Sequence, residues 1–109
     1  MEKANSESGR GLGDFANLKR LAYFAAVIEA GTFTAAADRL GITKAVVSQQ
    51  VARLERDFQT TLLTRSTRSV RPTEAGKAFY QRCASILREA GEAFDELADV
   101  ELMAARAPA

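Results

Sequence analysis

At 109 residues, with 47% hydrophobic and 27% charged side chains, the chain has room for one small core and lacks the charge-rich, aliphatic-poor make-up of a disordered protein. No apolar run approaches the ~20 residues of a membrane span and no basic-then-apolar leader opens the sequence, so a cytoplasmic protein without membrane contact is expected. One cysteine and no histidine leave no intrachain disulfide and argue against a zinc site or a Ser-His-Asp or Cys-His arrangement; no enzyme activity, metal or cofactor is expected.

The net charge of +1 conceals a segregation. Residues 39–71 hold seven basic and two acidic side chains, whereas residues 72–102 hold three and seven. A basic middle third followed by an acidic stretch suggests that one part of the surface meets a polyanion and the rest is held away from it.

Residues 1–16 are rich in Gly, Ser and Asn without periodicity and read as a flexible tail. From a cap at Asn17, Leu18, Leu21, Phe24, Ala25 and Ile28 recur at helical spacing up to Gly31. A second, short helix is expected from a cap at Thr34 to Leu40, ended by Gly41 in the left-handed conformation. Thr43 caps a third, in which Val47, Val51, Leu54 and Phe58 form one narrow apolar stripe facing the first two helices.

The opposite face of that third helix is unusual. Ala45, Gln49, Ala52 and Arg56 point away from the stripe, with Ser48 and Arg53 on the shoulders and Lys44 in the first turn. Small residues interspersed with hydrogen-bonding ones let the helix axis approach another surface closely. The DNA major groove, ~12 Å wide, accepts such a helix, and amide and hydroxyl groups address base edges there. With Ala37 at the crossing and the tight Leu40-Gly41-Ile42-Thr43 link, residues 33–52 follow the helix-turn-helix plan.

Residues 62–72 read as a small hairpin carrying Arg65, Arg68 and Arg71, suited to reach phosphates or the adjacent minor groove. Pro72, Thr73 and Glu74 then start a long helix running to Met103. Along it Phe79, Cys83, Ile86, Ala90, Ala93, Leu97 and Val100 alternate steps of four and three, and Tyr80, Leu87 and Phe94 add a second stripe. So small a domain cannot cover both stripes, and a second copy of the chain can. A homodimer is expected, with Cys83 as a small core residue at the seam and the acidic face turned from the phosphates.

The segment "LKRLAYFAAVIEAGTFTAAADRLGITKAVVSQQVARLE", followed by "LLTRSTRSVRPTEAG", resembles the N-terminal winged helix-turn-helix of LysR-type transcriptional regulators, bacterial proteins that bind promoter DNA. The resemblance implies a mainly α fold, three helices plus a two-stranded wing and then a long linker and dimerisation helix. It divides the chain into a tail (1–16), a DNA-binding domain (17–73), a linker helix (74–103) and a hinge remnant (104–109).

By position it implies DNA contacts from Thr43, Lys44, Ala45, Ser48, Gln49 and Ala52, from Arg68 in the wing, and from Thr32 and Thr34 near the phosphates. Arg53 joins them from its place on the shoulder of the helix, and Arg65 fits either a wing contact or an ion pair with Glu55. Three positions depart from the family pattern: Gln49 where arginine is frequent, Lys44 where glutamine is frequent, and Gln59 where glycine commonly ends the helix.

Paired linker helices imply a homodimer through Phe79, Tyr80, Cys83, Ile86, Leu87, Ala90, Phe94 and Leu97, reading an imperfect inverted repeat in double-stranded promoter DNA. The family's effector-binding domain would follow the linker, so small-molecule sensing is expected to lie outside this chain. A different class remains open, a winged-helix protein-interaction module that never meets DNA.

Overall fold

The computed structural model describes residues 15–66 and 69–106; the predicted tail before Phe15, the predicted wing contact Arg68 and the last three residues of the predicted hinge lie outside them. The elements in order are α1 (Phe15–Ala30), α2 (Phe33–Leu40), α3 (Lys44–Phe58), β1 (Leu63–Arg65), β2 (Val70–Pro72) and α4 (Glu74–Arg106). The three short helices pack mutually, the strands form an antiparallel wing, and α4 departs across α1.

Each boundary has a local cause. Gly31 (φ 87°) and Gly41 (φ 72°) end α1 and α2 in the left-handed region, where glycine pays no Cβ penalty. Thr43 caps α3 as predicted, its hydroxyl accepting from the Val46 N–H at 3.2 Å. Two expectations need correction. The cap of α2 is Thr32, accepting from the Ala35 N–H at 3.0 Å, and Thr34 lies exposed inside the helix. Helix α1 begins at Phe15, and the Asn17 side chain accepts from Arg20 Nη1 at 2.9 Å instead of capping.

The core forms where the apolar stripes meet. Phe24 and Val27 of α1, Ala36 and Ala37 of α2, and Val47, Val51 and Leu54 of α3 are buried together, with the small alanines allowing α2 to approach closely. Phe58, predicted to extend the stripe, is 44% exposed, because the chain turns away immediately after it. That turn places Gln59 in the left-handed region at φ 51° and ψ 45°.

The wing is fastened at both ends. Its strands pair Leu63 with Pro72, Thr64 with Arg71 and Arg65 with Val70. Glu55 Oε2 accepts from the Leu62 and Leu63 N–H groups at 2.8 and 3.1 Å, and the Val70 N–H donates to the Gly31 carbonyl at 3.2 Å. Thr73 then links wing to helix, donating to the Thr61 carbonyl at 2.7 Å and accepting from the Gly76 N–H at 3.0 Å. Gly76 is glycine for a steric reason: a Cβ there would overlap the Leu62 carbonyl.

Helix α4 is continuous for 33 residues, ~50 Å, through Gly76 and Gly91. Its first turns are consumed by the domain itself, not by the second copy expected to cover both stripes. Phe79 lies 5.3 Å from the Phe24 ring, Cys83 is fully buried, and Tyr80 and Leu87 pack against the core. Glu29 joins three helices there, accepting from the Tyr80 hydroxyl at 2.8 Å and from Arg39 Nη1 at 3.3 Å. Beyond this contact the helix is bare: Phe94, Leu97 and Val100 are 69%, 62% and 65% exposed.

Candidate nucleic-acid interface

Helix α3 sinks its stripe into the core and leaves Thr43, Lys44, Ala45, Gln49 and Arg53 exposed, with Ser48 and Ala52 half-buried along one edge. The first turn contains no acidic residue, and Lys44 stands at its start. A cation at the positive end of a helix is unfavourable by itself, whereas an external anion there is stabilised by both the unpaired N–H groups and the lysine.

Beside this face opens a cleft of about 370 Å³, lined by Thr32, Phe33, Thr34, Lys44, Ser48, Arg65, Ser66, Ser69 and Val70. Residues proposed separately, from the start of α2, the first turns of α3 and the wing, thus border one concave surface. Five hydroxyl side chains, an ammonium and a guanidinium line it, a set that suits an anionic, hydrogen-bonding partner.

Arg65 reaches Glu55, as one of its two readings expected, and also lines the cleft. It lies 4.8 Å from the Phe33 ring centroid and Nη2 is 4.0 Å from Glu55 Oε1, yet the side chain is 43% exposed. The ring and the carboxylate hold the guanidinium while the side chain borders the cleft. Arg53 is held by Asp57, with Nε 3.0 Å from each carboxylate oxygen. Such an exposed pair is worth only ~0.3–0.5 kcal/mol, so the arginine is easily released to a phosphate.

Across the wing the Ser66 N–H donates to the Ser69 carbonyl at 2.9 Å, and both serines line the cleft. Sequence reasoning passed over Phe33, Ser66, Ser69 and Val70 as lining residues, and treated Glu55 only as a partner of Arg65. It also missed Arg20, which is buried and donates from Nε to Gln50 Oε1 at 2.8 Å. The available signal was spacing: Arg20 falls three residues after Asn17 and four before Phe24, on the flank of the α1 stripe.

Comparison with known proteins decides the lineage. Residues 18–77 match the family of bacterial regulatory helix-turn-helix proteins of the lysR type. The chain belongs to the LysR family. It is 46% identical over 80 residues to the HTH-type transcriptional activator AaeR of Escherichia coli K12, covering 73% of this chain and 26% of that protein. It is 46% identical over 77 residues to the nitrogen assimilation regulatory protein nac of Klebsiella aerogenes, covering 71% and 25%.

Among solved structures it is similar to the CbnR DNA-binding domain in complex with DNA (38% identity, TM-score 0.67, 77% of this chain and 97% of that one). It is also similar to the BenM DNA-binding domain bound to catB site 1 DNA (34%, TM-score 0.71, 77% and 93%). The LysR relatives are transcription regulators, not enzymes, and the chain spans about a quarter of the length of the curated relatives it matches. Among the described residues no helix is long and apolar enough to cross a membrane.

Proposed function

We propose that this LysR-family chain binds double-stranded promoter DNA sequence-specifically, with α3 in the major groove and the wing on the backbone and adjacent minor groove. The observation that carries this reading is the convergence of Thr32, Thr34, Lys44, Ser48 and Arg65 on one cleft beside the short-side-chain face of α3. Likeness to two domains solved with DNA supports it. In this reading Ser48 and Gln49 address base edges, Ala45 and Ala52 permit close approach, and Thr32, Thr34, Thr43, Lys44, Arg53 and Arg65 serve the backbone. Arg68 joins the wing contacts by sequence position.

The bare stripe of α4 pairs with a second copy, so two recognition helices read an inverted repeat in the cytoplasm, where the chromosome lies. Selecting bound duplexes from a random pool tests motif, spacing and symmetry together. Ser48→Ala and Gln49→Ala are expected to relax preference by ~1–3 kcal/mol at one base pair per half-site. Binding should also weaken steeply as salt rises from about 50 to 200 mM through counterion release. A selection without enriched sequence, or affinity insensitive to salt, would contradict the proposal and favour a protein partner for the same surface.

A further inference from the structure

The least expected side chain in the domain is Arg20. It sits on α1, only 9% exposed, and is the one charged residue in the core region among those described. Its partners are neutral: Nε donates to Gln50 Oε1 at 2.8 Å and Nη1 to Asn17 Oδ1 at 2.9 Å. The ion pairs among the described residues join Arg39 to Glu29, Arg53 to Asp57, Arg65 to Glu55 and Lys77 to Glu74, so no described carboxylate pairs with Arg20. Withdrawing a cation from water without a counter-ion is costly, and the same fastening of α1 to α3 could be made by a neutral amide. A structural role alone leaves the charge unexplained.

The far nitrogen supplies the direction. Among the described residues no buried side-chain nitrogen or oxygen lacks a hydrogen-bond partner. Nη2 of Arg20 has none among the described residues, so it reaches the surface while the stem and Nε stay covered, in the manner of a snorkelling arginine. At least part of that nitrogen is therefore open to the outside, while Nε and Nη1 hold the guanidinium in place.

The place where they emerge fits a phosphate chain. Helix α3 has two edges: Lys44, Ser48 and Glu55 lie towards the wing, whereas Gln50, Arg53 and Asp57, stepping by three and four, form the other. A helix in the major groove runs between two phosphate chains, and the wing side meets only one of them. Arg20, held by Gln50 and followed one turn later by Arg53, stands at the edge facing the other.

We propose that Arg20 is a phosphate-contacting residue of the DNA interface, forming with Gln50 a second clamp on the side of α3 away from the wing. The inference rests on the DNA-binding reading above. A DNA phosphate supplies the missing counter-charge, and Gln50 acts as a positioning residue that aims the guanidinium.

The experiment compares wild type, Arg20→Gln and Arg20→Lys in the whole chain, for random and selected duplexes across about 50 to 200 mM salt. Arg20→Gln, which keeps amide groups near Gln50 and Asn17, should melt no lower than wild type and select the same base sequence. Its plot of log affinity against log salt should be shallower by about 0.9 per protomer, hence ~1.8 for a dimer. Arg20→Lys should retain most of the slope.

Methylphosphonate substitution, one phosphate at a time, locates the contact: one neutralised position per half-site should weaken wild type and leave Arg20→Gln unaffected. An unchanged slope in Arg20→Gln, or the same methylphosphonate profile as wild type, would overturn the assignment. So would an Arg20→Gln that fails to fold beside a fully folded Arg20→Lys, because the charge would then serve the core. Failure of wild type itself to bind duplex with salt dependence would instead strike the DNA-binding reading.

Discussion

Gln59 occupies a backbone region that its Cβ disfavours, at φ 51° where α3 must stop and the wing begin. A non-glycine residue there costs ~1–2 kcal/mol, part of which glycine returns as chain entropy. Gln59→Gly is therefore expected to raise stability by about 1 kcal/mol, measured as a higher urea midpoint at unchanged slope. Cys83 gives a pH signature at the same scale. Burial pushes its thiol up to about 12 from an ordinary 9, so the unfolded chain ionises first.

The stability contributed by the neutral buried thiol is thus whole below pH 9 and is lost progressively between 9 and about 12. The Tyr80 hydroxyl, raised from 10 chiefly by its bond to Glu29, adds a loss of the same sign above its ordinary range. Urea unfolding as a function of alkaline pH should show the decline, with its earlier part removed in Cys83→Ala. A thiol-alkylating reagent should react with Cys83 at neutral pH only as fast as the domain unfolds.

At the scale of elements, Glu55 joins recognition helix to wing. Its carboxylate accepts from the Leu62 and Leu63 N–H groups and faces Arg65, so Glu55→Ala leaves two donors without their acceptor. A loss of ~1–3 kcal/mol in stability is expected, with weaker binding to every duplex and an unchanged base preference, read by melting and by duplex selection.

The element plan was legible in advance because its causes are local: Thr43 before an apolar stripe, Gly41 after one, Pro72-Thr73-Glu74 opening the long helix. Thr32 and Thr34 carry the same capping chemistry, and burial of Phe33, a tertiary fact, places the start at Thr32. The Arg20–Gln50 bond spans 30 residues and leaves no periodic trace. The α4 pattern showed which positions are apolar without showing that Phe79 and Cys83 turn to their own domain while Phe94 and Leu97 do not.

For the whole molecule, the bare stripe of α4 is what the proposed dimer rests on. Phe94, Leu97 and Val100 form an apolar stripe more than half exposed, and each such side chain gains ~1.5–3 kcal/mol when covered. Leu97→Asp is expected to shift sedimentation at micromolar concentration from dimer to monomer and to lower affinity for a paired site, with single half-site binding retained. A wild-type chain that sediments as a monomer would remove the dimer from the proposal.

Glu29 ties α4 to both α1 and α2 close to one end of a rod ~50 Å long. A pivot so near the end amplifies small rotations. A tilt of about 5° at that joint, with ~39 Å of helix beyond it, displaces the far tip by roughly 3.4 Å, the rise of one nucleotide along a DNA strand. In the proposed dimer, one carboxylate and one phenol thereby bear, together with the Phe79 and Cys83 packing, on the registry at which two protomers meet their operator, and a torque of a few degrees on the rod shifts one reading head by about a base step.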